Sequence, residues 1–566
     1  MTAVRPASVP EPPPEEPTTR LQTPVPEPEG RPRFLEGRLG LQRIDLVAMG
    51  LLLAVAFFFR FYSPLMPNFL LHPFSGSPVS NCVGSTPVDQ KGTPGTLCGL
   101  AYPYQPSYSQ NGQPPSPPNG QVFDEIYFAV FAHNDLKGIH YFDPEPPLSK
   151  LIIASGEWLY GWWRATFEGA HGDYADLGYN TFGWRIMSVV FGSLCVPLMY
   201  LLAFKLWPRR LFALTAATLA CFDGMFFVQS RIGMIDIFPI FLILLSYTVF
   251  LIHLESRSER DAVTTLLLTG IVCGLAIAAK WISLATTASI IFFLIARPLA
   301  AHVGLALGSA ERGWRWGPRG SPGLPGGARG GPYLVAALLA FAAIPIAIYL
   351  ASWLPFFARG QFHTLNDLIV YNRQSFEYHA HLTASHPWGS PWYSWPFLYR
   401  PVAYYYQYDG LGIDAVSGRP LFAGMIDLGN PLIWWASLPA VLSLPYFVLR
   451  HRSFPAAVIL VGFVTQYLPW ARISRVLFLY HMFGGLIFMV LALAFVLVRM
   501  QDAGPLRIQL LGQESVLSIR WLVPVFLVLA VLFFLYFYPV WTALPIGDHA
   551  YRDGFPAGKM WIPSWF

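Results

Sequence analysis

The chain has 566 residues, of which 54% are hydrophobic, 16% aromatic and only 12% charged, with five cysteines and a net charge of +5. The charged share is about half that of a soluble domain. Together these numbers exclude a soluble globular enzyme, a disordered scaffold and a disulfide-dense secreted module. They point to an all-α polytopic membrane protein, and the lack of a basic block leaves no reading as a nucleic-acid binder.

Residues 1–40 form a Pro/Glu/Thr-rich tail with no apolar run before the mid-forties, so no signal peptide is read there. Such a composition cannot bury a core and predicts disorder, with a partner-binding motif as the alternative. A membrane span needs about 20 mostly apolar residues. Candidates lie at 44–62, 184–205, 211–228, 232–252, 263–279, 281–297, 333–355, 432–449, 455–470, 476–498 and 518–538, about eleven in all.

Basic residues in short loops orient the spans. Arg33, Arg38 and Arg43 precede the first span, and Lys205, Arg209 and Arg210 follow the second. Arg257 and Arg260, then Arg297, Arg312, Arg315, Arg319 and Arg329, then Arg450 and Arg452, and finally Arg499 and Arg507 fall on the same side. This side is read as cytoplasmic, which leaves the C-terminus external. The resulting organisation is a tail (1–40), an N-terminal transmembrane module (41–300), a cytoplasmic Gly/Pro/Arg linker (301–332) and a C-terminal transmembrane module (333–566).

Two long loops, 63–183 and 356–431, then face outward. Within the first, apolar stretches at 126–133 and 148–163 are too short or too mixed to span and are read as interfacial helices, with Trp158, Trp162 and Trp163 at headgroup depth. Cys82 and Cys98 share this loop and are expected to form a disulfide in an oxidising compartment; two free thiols is the alternative.

Charges at the membrane edge are costly and tend to face a cavity. Arg60, Arg185, Asp223, Arg231, Asp236, Lys280, Arg472 and Arg475 all fall near the external ends of spans. Their shared depth suggests one cation-rich site suited to the phosphate of a lipid. Snorkelling at span ends is the bland reading of any single one. The adjacent carboxylates Asp124 and Glu125 either supply a base for a hydroxyl nucleophile or cap the helix that follows.

The order of several motifs resembles the protein O-mannosyltransferases, membrane glycosyltransferases of the GT-C type. Phe123-Asp124-Glu125 is similar to the family's Asp-Glu motif. The segment Tyr141-Phe142-Asp143-Pro144-Glu145-Pro146-Pro147-Leu148-Ser149-Lys150 is similar to its Asp-x-His-Pro-Pro-Leu-Gly-Lys segment, with Glu145 standing for the His and Ser149 for the Gly. Asp223-Gly224, Gln229-Ser230-Arg231, Asp236, Gly274-Leu275-Ala276 and Lys280-Trp281 continue the match. So do His386-Pro387, Ser390-Pro391-Trp392, Trp395-Pro396, Arg400-Pro401, Tyr467-Leu468-Pro469-Trp470, Arg475 and Phe478-Leu479-Tyr480-His481. The loop at 356–431 is too short for the sugar-binding-like domain that eukaryotic members insert, which favours a bacterial member using a polyprenyl lipid.

The resemblance implies inverting transfer of mannose from polyprenyl-phosphate-mannose to Ser or Thr hydroxyls of exported polypeptide at the external face of the plasma membrane. The secretion translocon is one route of acceptor delivery. Asp124 carries over as the base and Glu125 as a conformational or acceptor-positioning residue. Arg60 and Arg185 carry over to the donor phosphate or to holding the carboxylate loop, and Lys280 and Arg475 join them round the phosphate. Lys150, Arg231, Asp236, Trp281, His386, Arg400 and His481 are expected to position donor or acceptor. No cofactor is called for; a divalent metal could assist, but no His-x-x-His or carboxylate cluster demands one. The rival readings are a lipid-sugar transferase of the aminoarabinose type, an oligosaccharyltransferase and a transporter.

Overall fold

The computed structural model describes residues 39–61, 122–302, 307–309, 314–316, 324–407, 412–510 and 513–566. Met1–Gln42 and Arg43–Phe566 separate into two units, and the second holds the helices. Cys82, Cys98, nearly all of the Pro-rich tail and much of the 301–332 linker lie outside the described residues.

In chain order the helices begin with α1 (Arg43–Phe61), α2 (Glu125–Lys137), α3 (Leu148–Phe167), α4 (Tyr174–Gly178), α5 (Thr181–Leu206), α6 (Arg210–Cys221), α7 (Gly224–Gln229), α8 (Ile237–Leu254), α9 (Glu259–Ala279) and α10 (Ser283–His302). A short hairpin, β1 (Leu307–Ser309) and β2 (Trp314–Trp316), leads to α11 (Gly330–Leu338), α12 (Ile344–Ser352) and α13 (Leu354–Ala358). The second large loop then builds α14 (Leu365–His381), β3 (Val402–Gln407) and β4 (Leu421–Asp427). The C-terminal part holds α15 (Pro431–His451), α16 (Phe454–Tyr467), α17 (Phe483–Asp502), β5 (Leu506–Leu510), β6 (Gln513–Leu517), α18 (Leu522–Thr542), β7 (Ile546–Gly547) and α19 (Asp548–Arg552).

Among the described residues, nine helices are long and apolar enough to cross a membrane, α11 to α13 counting as one run. The apolar helices at Arg210–Cys221 and Ser283–Ala296 are shorter. All eleven expected positions therefore carry apolar helix, but the third span is cut. Asp223 interrupts it: its carboxylate accepts the backbone N–H of Met225 and Phe226 at 3.0 and 3.2 Å and starts α7 afresh. A side chain that bonds the backbone so well caps a helix rather than continuing one.

Helix α17 is the axis of the bundle, with every residue from Phe483 to Phe495 buried. It packs on α6, α15 and α16, while α5 packs on α1, α6 and α8. By contrast α1 exposes Ile44, Val47, Leu51 and Phe58, an apolar face suited to lipid. One end of the bundle is tied by Arg210 to Asp45 (2.8 Å), Lys205 to Glu255 (2.6 Å) and Arg209 to Asp502 (2.5 Å). The two large loops meet at the other end. There Arg359 pairs with Asp135, Gln361 donates to Tyr141 O at 2.5 Å, and Tyr371 Oη accepts Asp143 N–H at 2.8 Å.

The stretches expected as surface helices are α2 and α3. Helix α2 buries Glu125, Ala129 and Ala132 on one stripe, and packs on α3. Helix α3 exposes Trp158, Leu159, Trp162 and Trp163 and buries Ile153, Glu157, Tyr160 and Gly161. A Cβ on Gly161 would stand 1.8 Å from Tyr174 O, so only glycine lets α4 lie this close. Hydropathy gives no sign of the small antiparallel sheets, which modify the all-α expectation. The largest has order β3-β4-β7, with Val402 opposite Asp427, Gln407 opposite Ala423 and a register shift between Ala403 and Tyr405.

Candidate active site

The Asp-Glu pair sits at the entrance to α2, and its two carboxylates have opposite surroundings. Glu125 is fully buried and saturated. Its oxygens accept Arg185 Nε at 2.7 Å, a terminal Arg185 nitrogen at 2.6 Å, Gly233 N–H at 2.6 Å and Val122 N–H at 2.7 Å. A Cβ on Gly233 would stand 2.8 Å from Trp184 Cδ1 and 3.4 Å from Glu125 Oε1, so a side chain would push the donor away. Glu125 therefore locks the turn to α5 and to the α7–α8 connection and has no lone pair to spare for substrate.

Asp124 is half-buried, and no described residue donates to its carboxylate. It makes no side-chain cap bond, so the capping alternative is set aside; its backbone O starts the helix by accepting Tyr127 and Phe128 N–H at 2.9 and 3.0 Å. Burial, with Asp236 adding to it and Lys280 opposing, pushes its carboxyl up to about 7. A carboxylate titrating there is matched to proton abstraction near neutrality. The residue before it, Phe123, holds φ at +50°. A non-glycine residue in this left-handed region costs about 1–2 kcal/mol, which the surroundings must offset.

Around Asp124 lie charged side chains from both large loops and the α9–α10 turn. Lys280 Nζ donates to Asp236 Oδ1 at 2.6 Å. Lys150 pairs with Asp143 and donates to Glu145 O at 2.8 Å. Glu145 lies 3.9 Å from His379 of α14; burial alone would raise its carboxyl, but Lys280, His379 and Arg475 hold it below the usual range. Burial, with Arg475 and Lys280, lowers His379, and Glu145 opposes them. Arg475 is half-buried, and its described hydrogen bond is a long one, 3.5 Å to Val476 O. Lys280 and Arg475 thus face the same carboxylate, a place where a phosphate would find two cations.

Of Arg60, Arg185, Lys280 and Arg475, expected round one phosphate, the first two have partners elsewhere in the structure. Arg60 is buried inside the bundle, donating to Ser230 Oγ at 2.7 Å, Ala56 O at 3.3 Å and Cys221 O at 3.5 Å. Its guanidinium and that of Arg231 lie 5.7 and 4.9 Å from the Phe227 ring. Arg185 is committed to Glu125, so of the two roles expected for it, its bonds are those of holding the carboxylate loop. Only Lys280 and Arg475 belong to the group round Glu145.

The other candidates divide similarly. Trp281 Nε1 donates to Tyr349 Oη at 3.2 Å, and its ring meets His379 edge-on at 6.0 Å. His386 lies edge-on to Phe123 at 6.4 Å and to Phe478 at 5.1 Å. His481 stacks on Tyr480 at 4.7 Å and accepts Phe478 N–H at 3.1 Å. Arg400 lies away from the group: it donates to Pro387 O at 2.8 Å and Ser564 O at 3.4 Å and covers Trp388 at 5.0 Å, bracing the loop to the C-terminus. Sequence reasoning missed Tyr404 and His379, and marked Glu145 only as a departure from a pattern. Among the described residues, no group of three His, Cys, Asp or Glu side chains is placed to hold a metal.

Residues 116–358 match the family described as dolichyl-phosphate-mannose-protein mannosyltransferase, and residues 364–565 match the C-terminal four-transmembrane region of protein-O-mannosyltransferase. The chain belongs to the protein O-mannosyltransferase family. The polyprenol-phosphate-mannose–protein mannosyltransferase of Mycolicibacterium smegmatis is 25% identical over 499 residues, 78% of this chain and 87% of that one. Its Mycobacterium tuberculosis counterpart is 27% identical over 497 residues, 78% and 86% of the two chains. A solved Saccharomyces cerevisiae protein O-mannosyltransferase Pmt1-Pmt2 complex bound to the sugar donor superposes with a TM-score of 0.61 at 14% identity, covering 89% of this chain and 91% of that one. The family fold, of the GT-C type, is thus shared across nearly the whole length.

Proposed function

We propose that this glycosyltransferase moves mannose from polyprenyl-phosphate-mannose to Ser or Thr hydroxyls of exported proteins, with inversion at the anomeric carbon. The observation that carries the mechanism is Asp124, a carboxylate to which no described residue donates, pushed up to about 7 by burial and facing Lys280, in a family of protein mannosyltransferases. Asp124 removes the hydroxyl proton as the oxygen attacks the anomeric carbon. The bond to the lipid phosphate breaks, and the phosphate keeps the electron pair. Lys280 and Arg475 stabilise the charge that develops there, which supplies what a poorer leaving group would need from an acid. Asp236 pairs with Lys280 and Glu145 faces both cations before the donor arrives, so donor binding sets one anion against others.

The basic loops support a topology with the N-terminus in the cytoplasm and the two large loops, the site and the C-terminus outside, in the plasma membrane. In this reading α2 and α3 lie at the outer surface, with Trp158, Trp162 and Trp163 in the headgroup layer. Polypeptide emerging from the secretion translocon would meet Asp124 while still extended. The test is transfer of radiolabelled mannose from synthetic polyprenyl-phosphate-mannose to a Thr-rich peptide by the purified full chain. Labelled peptide supports the reading; label passed only to a lipid acceptor, or retained on the donor, overturns it.

A further inference from the structure

The group that fixes Asp124 from behind is not its neighbour Glu125 alone. Phe123 lies stacked on Tyr404 of β3, ring centroids 4.7 Å apart and planes 29° from parallel. Tyr404 is itself pinned. Its hydroxyl donates to Asp427 Oδ2 at 3.1 Å and accepts Gln229 Nε2 at 2.6 Å, and the same Gln229 nitrogen lies 3.1 Å from Asp427 Oδ2. All three side chains are buried. Asp427 closes β4 opposite Val402, and Gln229 closes α7, so the contact joins the second large loop, the bundle and the turn before α2.

We propose that Tyr404 is a positioning residue for Asp124, acting through the Phe123 ring. The φ of +50° at Phe123 sets the direction in which the next residue leaves the turn. A strained residue relaxes when nothing holds its side chain. Glu125 fixes one end of this turn through the backbone and Arg185. The Phe123–Tyr404 stack fixes the other, and Asp124 lies between the two anchors, its carboxylate bonded by no described residue. Within this set the Tyr404 hydroxyl is bonded on both sides, while Gln229 Oε1 and Asp427 Oδ1 have no partner among the described residues; the two hydroxyl bonds serve to hold a ring that in turn holds a backbone. This inference rests on Asp124 being the base in the proposed transfer.

The experiment compares Tyr404→Leu, Tyr404→Phe, Phe123→Leu and the Phe123→Leu/Tyr404→Leu double variant in the full chain, using the mannose-transfer assay and detergent melting. Tyr404→Leu removes the stack and should lower kcat roughly 30- to 100-fold, because small misplacements of a reacting group carry costs of that order. The KM for donor should stay within about twofold, a range too small to signal lost binding. Tyr404→Phe keeps the stack and should recover most of the rate. The double variant should be no slower than the slower single one, since both remove one contact.

A loosened Asp124 also becomes wetter, so the acid limb of the pH profile should move to lower pH. The same shift should appear in the pH midpoint for labelling Asp124 with a hydrophobic carbodiimide, read by peptide mass spectrometry. A Tyr404→Leu enzyme with unchanged kcat, or singles whose losses multiply, overturns the inference. Failure of the wild type to transfer mannose counts against the functional reading. In that case an unchanged labelling midpoint in a folded Tyr404→Leu protein overturns the positioning role by itself.

Discussion

Replacing Arg185 by Ala should be among the most damaging single changes in the molecule. Two Arg185 nitrogens contact Glu125 at 2.6 and 2.7 Å, with both side chains fully buried. Charge-assisted bonds contribute about 1.5–3 kcal/mol each. Removing one partner of a buried pair costs about 3–5 kcal/mol, because the remaining charge is stranded. Gly233 and Val122 still donate to Glu125, which places the expected loss toward the lower end, about 3 kcal/mol. Thermal and denaturant unfolding in detergent should therefore show a clear drop for Arg185→Ala and for Glu125→Gln. The Glu125→Gln/Arg185→Met double variant should lose less than the sum, with a coupling of roughly 2 kcal/mol. Turnover of the folded fraction should fall about 100-fold as the turn carrying Asp124 loosens. A fully stable Arg185→Ala protein, or strictly additive losses, would refute the clamp.

Three further outcomes are expected, the first two from the same geometry and the third from the sequence. Because burial raises the Asp124 carboxyl to about 7 and the ionised form is the base, kcat/KM should fall tenfold per unit as pH drops below about 7 and level off above it; a flat profile from pH 5 upward would count against this. Lys280→Met and Arg475→Met should each weaken donor binding or turnover roughly tenfold to a hundredfold, whereas Arg60→Met should lower melting temperature and leave the donor KM in place; the reverse pattern would restore Arg60 to the phosphate. Cys82 and Cys98 should resist alkylation until a reductant is added, the bridge contributing about 3 kcal/mol in the chain-entropy picture; alkylation of both without reductant would disprove it.

The bilayer makes much of this fold readable from sequence. Long apolar runs can only be helices in lipid, so the helix positions follow from hydropathy. The exception is instructive: hydropathy runs through 211–228, but the Asp223 carboxylate starts a new helix, a decision taken by one side chain that an averaging window cannot register. Strands β3 and β4 are invisible for a different reason, since they sit in a long aromatic loop whose partner strand β7 lies more than 100 residues away. The Asp-Glu pair stands out as adjacent carboxylates before a helix. That one is sealed by Arg185 and the other left open depends on contacts 60 and 108 positions distant. Arg60 and Lys280 look alike in sequence as cations near span ends. Only packing distinguishes a guanidinium spent on Ser230 and backbone carbonyls from an ammonium that faces Asp236 and Glu145.

The central claim is tested most directly by following a single turnover of mannose from polyprenyl-phosphate-mannose to a Thr-containing peptide with wild-type chain and Asp124→Asn in parallel, while measuring donor binding to each. The amide keeps the shape of Asp124 and removes its basicity, so Asp124→Asn should bind the donor as the wild type does and transfer at least about 100-fold more slowly. Transfer by Asp124→Asn at near the wild-type rate would contradict the account.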